Sequence, residues 1–188
     1  MTAMPVLSSP RLGAVILTGG ASSRMGTDKA SQLWGGVRAV DRVASLARDT
    51  GAIRIVTAGE GEFGLPRAAD PQPLSGPVAG LLAGMSLLGG EFERLLVLAV
   101  DAPTLRLDDL TPLLAAPPPG AAFEGAPLPM VIDAAAVPGE AQDGWPLRRF
   151  VERAGLAQIS TTSSAATRIR GANTPEERAR LLRDAGWL

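Results

Sequence analysis

The stretch Leu17-Thr18-Gly19-Gly20-Ala21-Ser22-Ser23-Arg24-Met25-Gly26-Thr27-Asp28-Lys29 concentrates residues able to do chemistry. An apolar run enters two glycines, then an arginine, a third glycine and a lysine. Without Cβ atoms, Gly19 and Gly20 let backbone N–H groups come close to a ligand. Successive amides of this kind form a nest for an anion. Arg24 can grip a phosphate with a planar fork, and Lys29 adds a mobile point charge. The spacing is neither a Walker A loop, since Thr27 follows Gly26, nor G-x-G-x-x-G. The competing reading is a surface turn with two solvated cations.

Asp101 ends the apolar run Leu95 to Val100 and is placed to hold a divalent cation. Taken alone, it reads equally as a turn residue or helix cap before Ala102-Pro103. Asp70 precedes Pro71, a common way to open a turn. Gly76 and Gly80 lie four apart on one helical face, which suits close approach to a flat base or to a neighbouring element. Arg148, Arg149 and Arg153 could meet an anionic substrate or form a solvated helix face. Gly59-Glu60-Gly61-Glu62-Phe63-Gly64 fits G-x-G-x-x-G. A dinucleotide site would need a helix to start there. Pro66, Pro71 and Pro73 oppose one, and Glu60 and Glu62 would repel phosphates.

These residues need elements to hold them. Ala14–Thr18 is a short continuous apolar run, the pattern of a strand buried on both faces. Residues 39–49 have helical periodicity, 53–57 read as a second strand, and Gly76-Pro77 opens a helix to Leu88. Leu95–Val100 is the strongest strand, followed by a helix over 107–115. Residues 128–134 read as a strand and 146–154 as a helix. Thr174-Pro175-Glu176-Glu177 is a capping box that starts a last helix to Ala185. Alternating strands and helices predict right-handed crossovers and a three-layer, doubly wound, mostly parallel α/β sheet with helices on both faces. Ligands bind beyond the carboxyl ends of such strands. That rule puts the 19–29 loop, the 57–61 loop and Asp101 on one rim. Residues 1–11 read as a leader and 12–188 as one domain, with halves 12–116 and 120–188 divided by Pro117-Pro118-Pro119.

Composition removes several classes. The 188 residues include no cysteine and no histidine. Disulfides, thiolate metal sites, a Ser-His-Asp triad and a histidine base are therefore excluded. A metal must be held by oxygen, which favours magnesium, manganese or calcium. A net charge of −1 and 4% aromatics argue against nucleic-acid binding. No apolar run is long enough to span a bilayer, and the expected location is cytoplasmic.

The same residues resemble the molybdenum cofactor guanylyltransferase family, whose signature reads roughly L-A-G-G-x-S-x-R-M-G-x-D-K. Asp70 with Gly76-Pro77-Val78-Ala79-Gly80-Leu81 is similar to that family's D…G-P-L-A-G-L, and Val100-Asp101-Ala102-Pro103 to its D-x-P. Pro127-Leu128-Pro129 and Asn173-Thr174-Pro175-Glu176-Glu177 match later motifs, so the resemblance covers about residues 13–185. It implies a nucleotide-diphospho-sugar transferase-like fold. It also implies GTP as substrate, Mg2+ (or Mn2+) as cofactor, and transfer of GMP to the terminal phosphate of molybdopterin with release of pyrophosphate. Leu17, Thr18, Gly19, Gly20, Thr57, Asp70, Gly76 and Gly80 would bind the nucleotide. Arg24 and Lys29 would balance triphosphate charge, Asp101 would bind the metal, and Asn173 would lie on the pterin side. Molybdoenzymes or their chaperones are the protein partners it implies. Thr18 stands where alanine is usual, Thr57 where asparagine is usual, and Ala39-Val40-Asp41 replaces P-L-x. Ile169-Arg170-Gly171-Ala172 lacks the usual Phe-x-N/D lead before Asn173. Alternatives are a relative using CTP or another phosphorylated acceptor, and a catalytically silent nucleotide-binding module.

Overall fold

The computed structural model describes residues 10–19, 28–69, 76–172 and 174–188. In chain order, the first half contributes β1 (Leu12–Leu17), the short hairpin β2 (Leu33–Trp34) and β3 (Val37–Arg38), α1 (Ala39–Asp49) and β4 (Arg54–Ala58). It continues with β5 (Arg67–Ala68), α2 (Gly76–Leu88), β6 (Arg94–Ala99) and α3 (Leu107–Leu114). The second half contributes β7 (Gly120–Phe123), β8 (Ala126–Asp133), α4 (Leu147–Arg153), β9 (Ala157–Ile159), α5 (Ser163–Arg170) and α6 (Pro175–Asp184).

Seven strands form one sheet in the order β5-β4-β1-β6-β8-β7-β9. β1 pairs in parallel with both β4 and β6, while β8 runs antiparallel to β6 and β7. This is the mostly parallel α/β sheet expected. β1 and β6 sit at its centre, buried almost end to end, which is why they read as unbroken apolar runs. Alternate side chains go to opposite faces. Ala14 and Ile16 join the core under α1, α3, α5 and α6. Val15 and Leu17 join the core under α2 and α4. Two cores on one sheet make the three layers.

Gly84 sets the closeness of α2. A Cβ there would lie 2.5 Å from Val15 Cγ1, so only a glycine lets this helix rest on β1. At the amino end of the sheet, Arg94 uses its whole guanidinium. Nη1 and Nη2 donate to the carbonyls of Leu114 and Ala116 at 3.0 and 2.9 Å, and Nε lies 3.0 Å from Asp133 Oδ1. The carbonyls at the end of α3 have no helical partner, so this arginine closes that end.

Most anticipated elements are present within a residue or two. The hairpin β2–β3, strands β7 and β9, and helix α5 were not anticipated. β7 and β9 are four and three residues long, too short for a period. α5 has the sequence SSAATRIR and buries only Ala165 and Ile169. Thr162 caps it, its hydroxyl accepting from the Ala165 N–H at 3.2 Å.

An ion pair fastens α5 to α3. Arg168 Nε donates to Asp109 Oδ2 at 2.8 Å, and Asp109 Oδ2 also accepts from the Arg106 N–H at 2.9 Å. Burial pushes the Asp109 carboxyl up, but the Arg168 and Arg106 hydrogen bonds together outweigh it and leave the carboxyl below its ordinary range. The unfolded chain therefore binds a proton at this site before the folded protein does. The resulting stability is complete above about pH 4 and is lost as pH falls through the lower folded value. Asp109→Asn should cost on the order of 2 kcal/mol at neutral pH. It should also flatten the fall in stability below about pH 4, measured by denaturant unfolding as pH is lowered. An unchanged acid slope would remove Asp109 from that role.

Candidate active site

The carboxyl ends of β1, β4 and β6 meet on one edge of the sheet. Val100 N–H donates to the Leu17 carbonyl at 3.2 Å, and Thr18 N–H donates to the Ala58 carbonyl at 2.9 Å. The end of β1 is thus tied to both neighbours before the chain enters the glycine loop. Thr18 adds a side-chain tie, its hydroxyl lying 3.1 Å from the Ala58 carbonyl and 3.3 Å from that of Glu60. Leu17 packs its side chain into the α2-side core, so it offers a ligand little but backbone.

Gly19 and Gly59 face each other at close range. A Cβ on Gly59 would come within 2.6 Å of Gly19 N and 2.8 Å of Thr18 Oγ1, and Gly59 has a φ of +124°. The G-x-G-x-x-G look-alike is therefore a turn that presses against the other glycine loop. No helix follows it, since residues 59–66 are bends and irregular backbone, as its prolines imply.

Lys29 reaches across this edge. Its Nζ lies 3.1 Å from Asp101 Oδ1, with side chains 29% and 53% exposed. Three features aim it. Asp28 Oδ1 accepts from the Ala30 N–H at 3.0 Å, and Asp28 Oδ2 accepts from the Ser31 hydroxyl, which closes the turn around Lys29. Ala30 itself is fully buried. The first N–H groups of α1, which have no helical partner, donate to this segment instead. Ala39 N–H reaches the Gln32 carbonyl at 2.9 Å and Val40 N–H the Ala30 carbonyl at 3.1 Å. Asp28 and α1 thus position the lysine, and sequence reasoning gave neither a role.

The connection between α5 and α6 closes on the same place. Gly171 has φ +67°, and a Cβ there would lie 1.9 Å from the Asp101 carbonyl oxygen. Gly76, the first residue of α2, approaches Gly144, with 3.8 Å between its would-be Cβ and the Gly144 Cα. Gly80 is buried one turn further along α2. Thr57 is only 1% exposed and sits within β4, its hydroxyl 3.5 Å from the Pro66 carbonyl. Gly20, Arg24, Asp70 and Asn173 lie outside the described residues.

The second-half arginines separate. Arg149 stacks over Trp145, 4.1 Å from the ring centroid, and Arg153 pairs with Glu140. Arg148 lines a groove of about 320 Å³ with Pro127 and Gln158. β8 begins at Ala126 on the carboxyl-end side of β6, because Val97 pairs with Met130 in antiparallel register.

Chemically, the edge offers a cation, a carboxylate and close-set glycine backbone, with no histidine or thiol. Among the described residues no three acidic side chains gather as a metal cage. One exposed carboxylate still fits magnesium, which takes one or two carboxylates and fills the rest of its shell with phosphate and water.

Residues 14–170 match the MobA-like NTP transferase domain. A molybdenum cofactor guanylyltransferase of Xanthomonas euvesicatoria pv. vesicatoria is 32% identical over 180 residues, spanning 90% of this chain and 94% of that protein. One from Acidiphilium cryptum is 37% identical over 163 residues, spanning 81% and 79%. A nucleotidyl transferase from Methanothermobacter thermautotroptrophicus has the same fold, with a TM-score of 0.65 at 15% identity, covering 94% of this chain and 98% of that one. Among the described residues no helix is long and apolar enough to cross a membrane.

Proposed function

The chain belongs to the MobA-like NTP transferase domain family, and from that premise we propose that it transfers GMP from GTP to the terminal phosphate of molybdopterin. The observation that carries this reading is the 3.1 Å pairing of Lys29 with Asp101 beside the Gly19–Gly59 contact. The acceptor phosphate oxygen attacks the α-phosphorus of GTP. The bond from that phosphorus to the oxygen bridging to the β-phosphate breaks, and pyrophosphate leaves with its electron pair. The attacking oxygen is already an anion, so no general base is required. Positioning and charge neutralisation then supply the rate, as in other phosphoryl transfers.

Each residue has a part in this reading. Gly19 and Gly20 bring backbone amides to the phosphates, Lys29 and Arg24 balance the triphosphate, and Leu17, Thr18, Thr57, Asp70, Gly76 and Gly80 wall the nucleoside. Asn173 would bind the acceptor, and Arg148 would meet its negative charge. Magnesium, held by Asp101, would supply charge neutralisation on the triphosphate. In the structure Lys29 and Asp101 pair with each other. With substrate present, Lys29 would face phosphate and Asp101 would hold the cation, so neither charge would be left bare. The chain works as one domain in the cytoplasm, and passes its product to a molybdoenzyme or its chaperone.

Lys29→Ala should weaken GTP binding by about 1.5–3 kcal/mol, the scale of a lost charged hydrogen bond, as read by calorimetric titration. Unchanged affinity would remove Lys29 from the cradle. The reading as a whole is tested by incubating the protein with magnesium, molybdopterin and either GTP or CTP. Pyrophosphate and the dinucleotide product are followed. Turnover with GTP alone supports it. Preference for CTP assigns the chain to cytidylyl transfer, and binding without turnover makes it a silent nucleotide-binding module.

A further inference from the structure

Away from the Lys29–Asp101 pair, three distant segments converge on a second polar cleft. It has a volume of about 380 Å³ and lies between the loop after β6, helix α5 and helix α6. Arg106, Arg168, Arg170 and Arg180 all line it. Two of these are already engaged and form a fixed frame. Arg168 is paired with Asp109, and Arg106 Nη2 donates to the Asp184 carbonyl at 3.3 Å. The other two, Arg170 and Arg180, are exposed, and neither has an ion pair or hydrogen bond among the described residues. Thr104, also in the lining, is 3% exposed, and its hydroxyl has no hydrogen-bond partner. Buried hydroxyls in proteins are ordinarily satisfied.

We propose that this cleft binds a small phosphate-type oxyanion, with Arg170 and Arg180 as its clamp. Guanidinium groups present planar pairs of donors that match phosphate oxygens. An excess of such donors with one carboxylate, Asp184, suits an anion carrying more than one negative charge. The solvated arginine face of a single helix would account for one wall. It does not account for donors from three segments meeting over Leu181, which is 2% exposed. The cleft also shares backbone with the candidate active site. Thr104 follows Asp101 by three residues, and Arg170 directly precedes the glycine that touches the Asp101 carbonyl. A bound anion would brace both segments. The proposal does not depend on which nucleotide or acceptor the protein uses.

The probes are inorganic pyrophosphate and inorganic phosphate, titrated separately into the full chain while backbone amide resonances are followed. Saturable shifts are expected at residues 164–170 and 180–185, with pyrophosphate binding more tightly than phosphate. Equal affinities would overturn a two-phosphate occupant and limit the cleft to a single phosphoryl group. The R170Q/R180Q double variant should weaken pyrophosphate binding about tenfold or more. Arg183→Gln, an exposed α6 arginine outside the lining, should leave it unchanged. Asp184→Asn removes the like charge and should tighten it. Shifts confined to residues 17–19 and 28–30 would overturn the proposal. So would equal weakening by Arg183→Gln, which would show a general response to charge.

Discussion

Asp101→Ala is expected to cut metal-dependent nucleotidyl transfer by about a thousandfold, the upper range for removing one preorganised group that stabilises transition-state charge. The fold should scarcely notice. Asp101 is 53% exposed and its partner Lys29 is 29% exposed, and such ion pairs contribute at most about 1 kcal/mol. This contrast separates function from stability. The unfolding midpoint should stay near that of the wild type while turnover disappears. Asp101→Asn should lose turnover to a similar extent, because it keeps the shape and removes the charge. Pyrophosphate release followed against magnesium concentration is the measurement. Turnover within about threefold of wild type would remove Asp101 from metal binding, since even an outer-shell residue costs about tenfold or more.

Asp101 was legible because two signals coincided. Its strand is a strong apolar run, and the end of a central parallel strand is where ligands bind. Lys29 was legible through the glycine loop before it. α1, α2 and α6 were legible because their signals are local: a stripe of Val40, Val43, Ala44 and Ala47, a Gly-Pro start, and a capping box with both hydrogen bonds formed at 3.2 Å. The missed parts have no local signature. β7 and β9 become strands by pairing with each other in parallel, with β7 also pairing with β8. α5 is stabilised by the Arg168–Asp109 pair across 59 residues. Asp28 has no role assignable from the sequence alone, and only the fold shows its carboxylate closing the turn. Gly59 belonged to a misleading motif, yet it is required for a different reason, its contact with Gly19.

Gly171 carries the same lesson furthest, and Gly171→Ala should damage both stability and activity. The residue ends α5 at φ +67° and ψ −160°. An alanine at this φ and ψ, a combination essentially only glycine adopts, costs about 1–3 kcal/mol. Here the added Cβ also meets the Asp101 carbonyl oxygen at 1.9 Å. Backbone cannot rotate away as a flexible side chain can, so relief requires moving the Asp101 segment or the α5–α6 connection. Overpacking of this kind costs about 1–3 kcal/mol more. Together these reach about 2–6 kcal/mol, a large share of the roughly 5–15 kcal/mol that holds a domain folded. Gly186 provides the control, with φ +71° and nothing within 4 Å of its would-be Cβ. Gly186→Ala pays only the backbone cost. Denaturant unfolding of the two variants sets the crowded glycine against an open one at positive φ, and equal losses would show that the connection is not locked against Asp101. Activity at a temperature where both remain folded gives the second reading. Gly171→Ala should lower kcat, because any relief shifts Asp101 relative to Lys29, while Gly186→Ala should leave kcat unchanged.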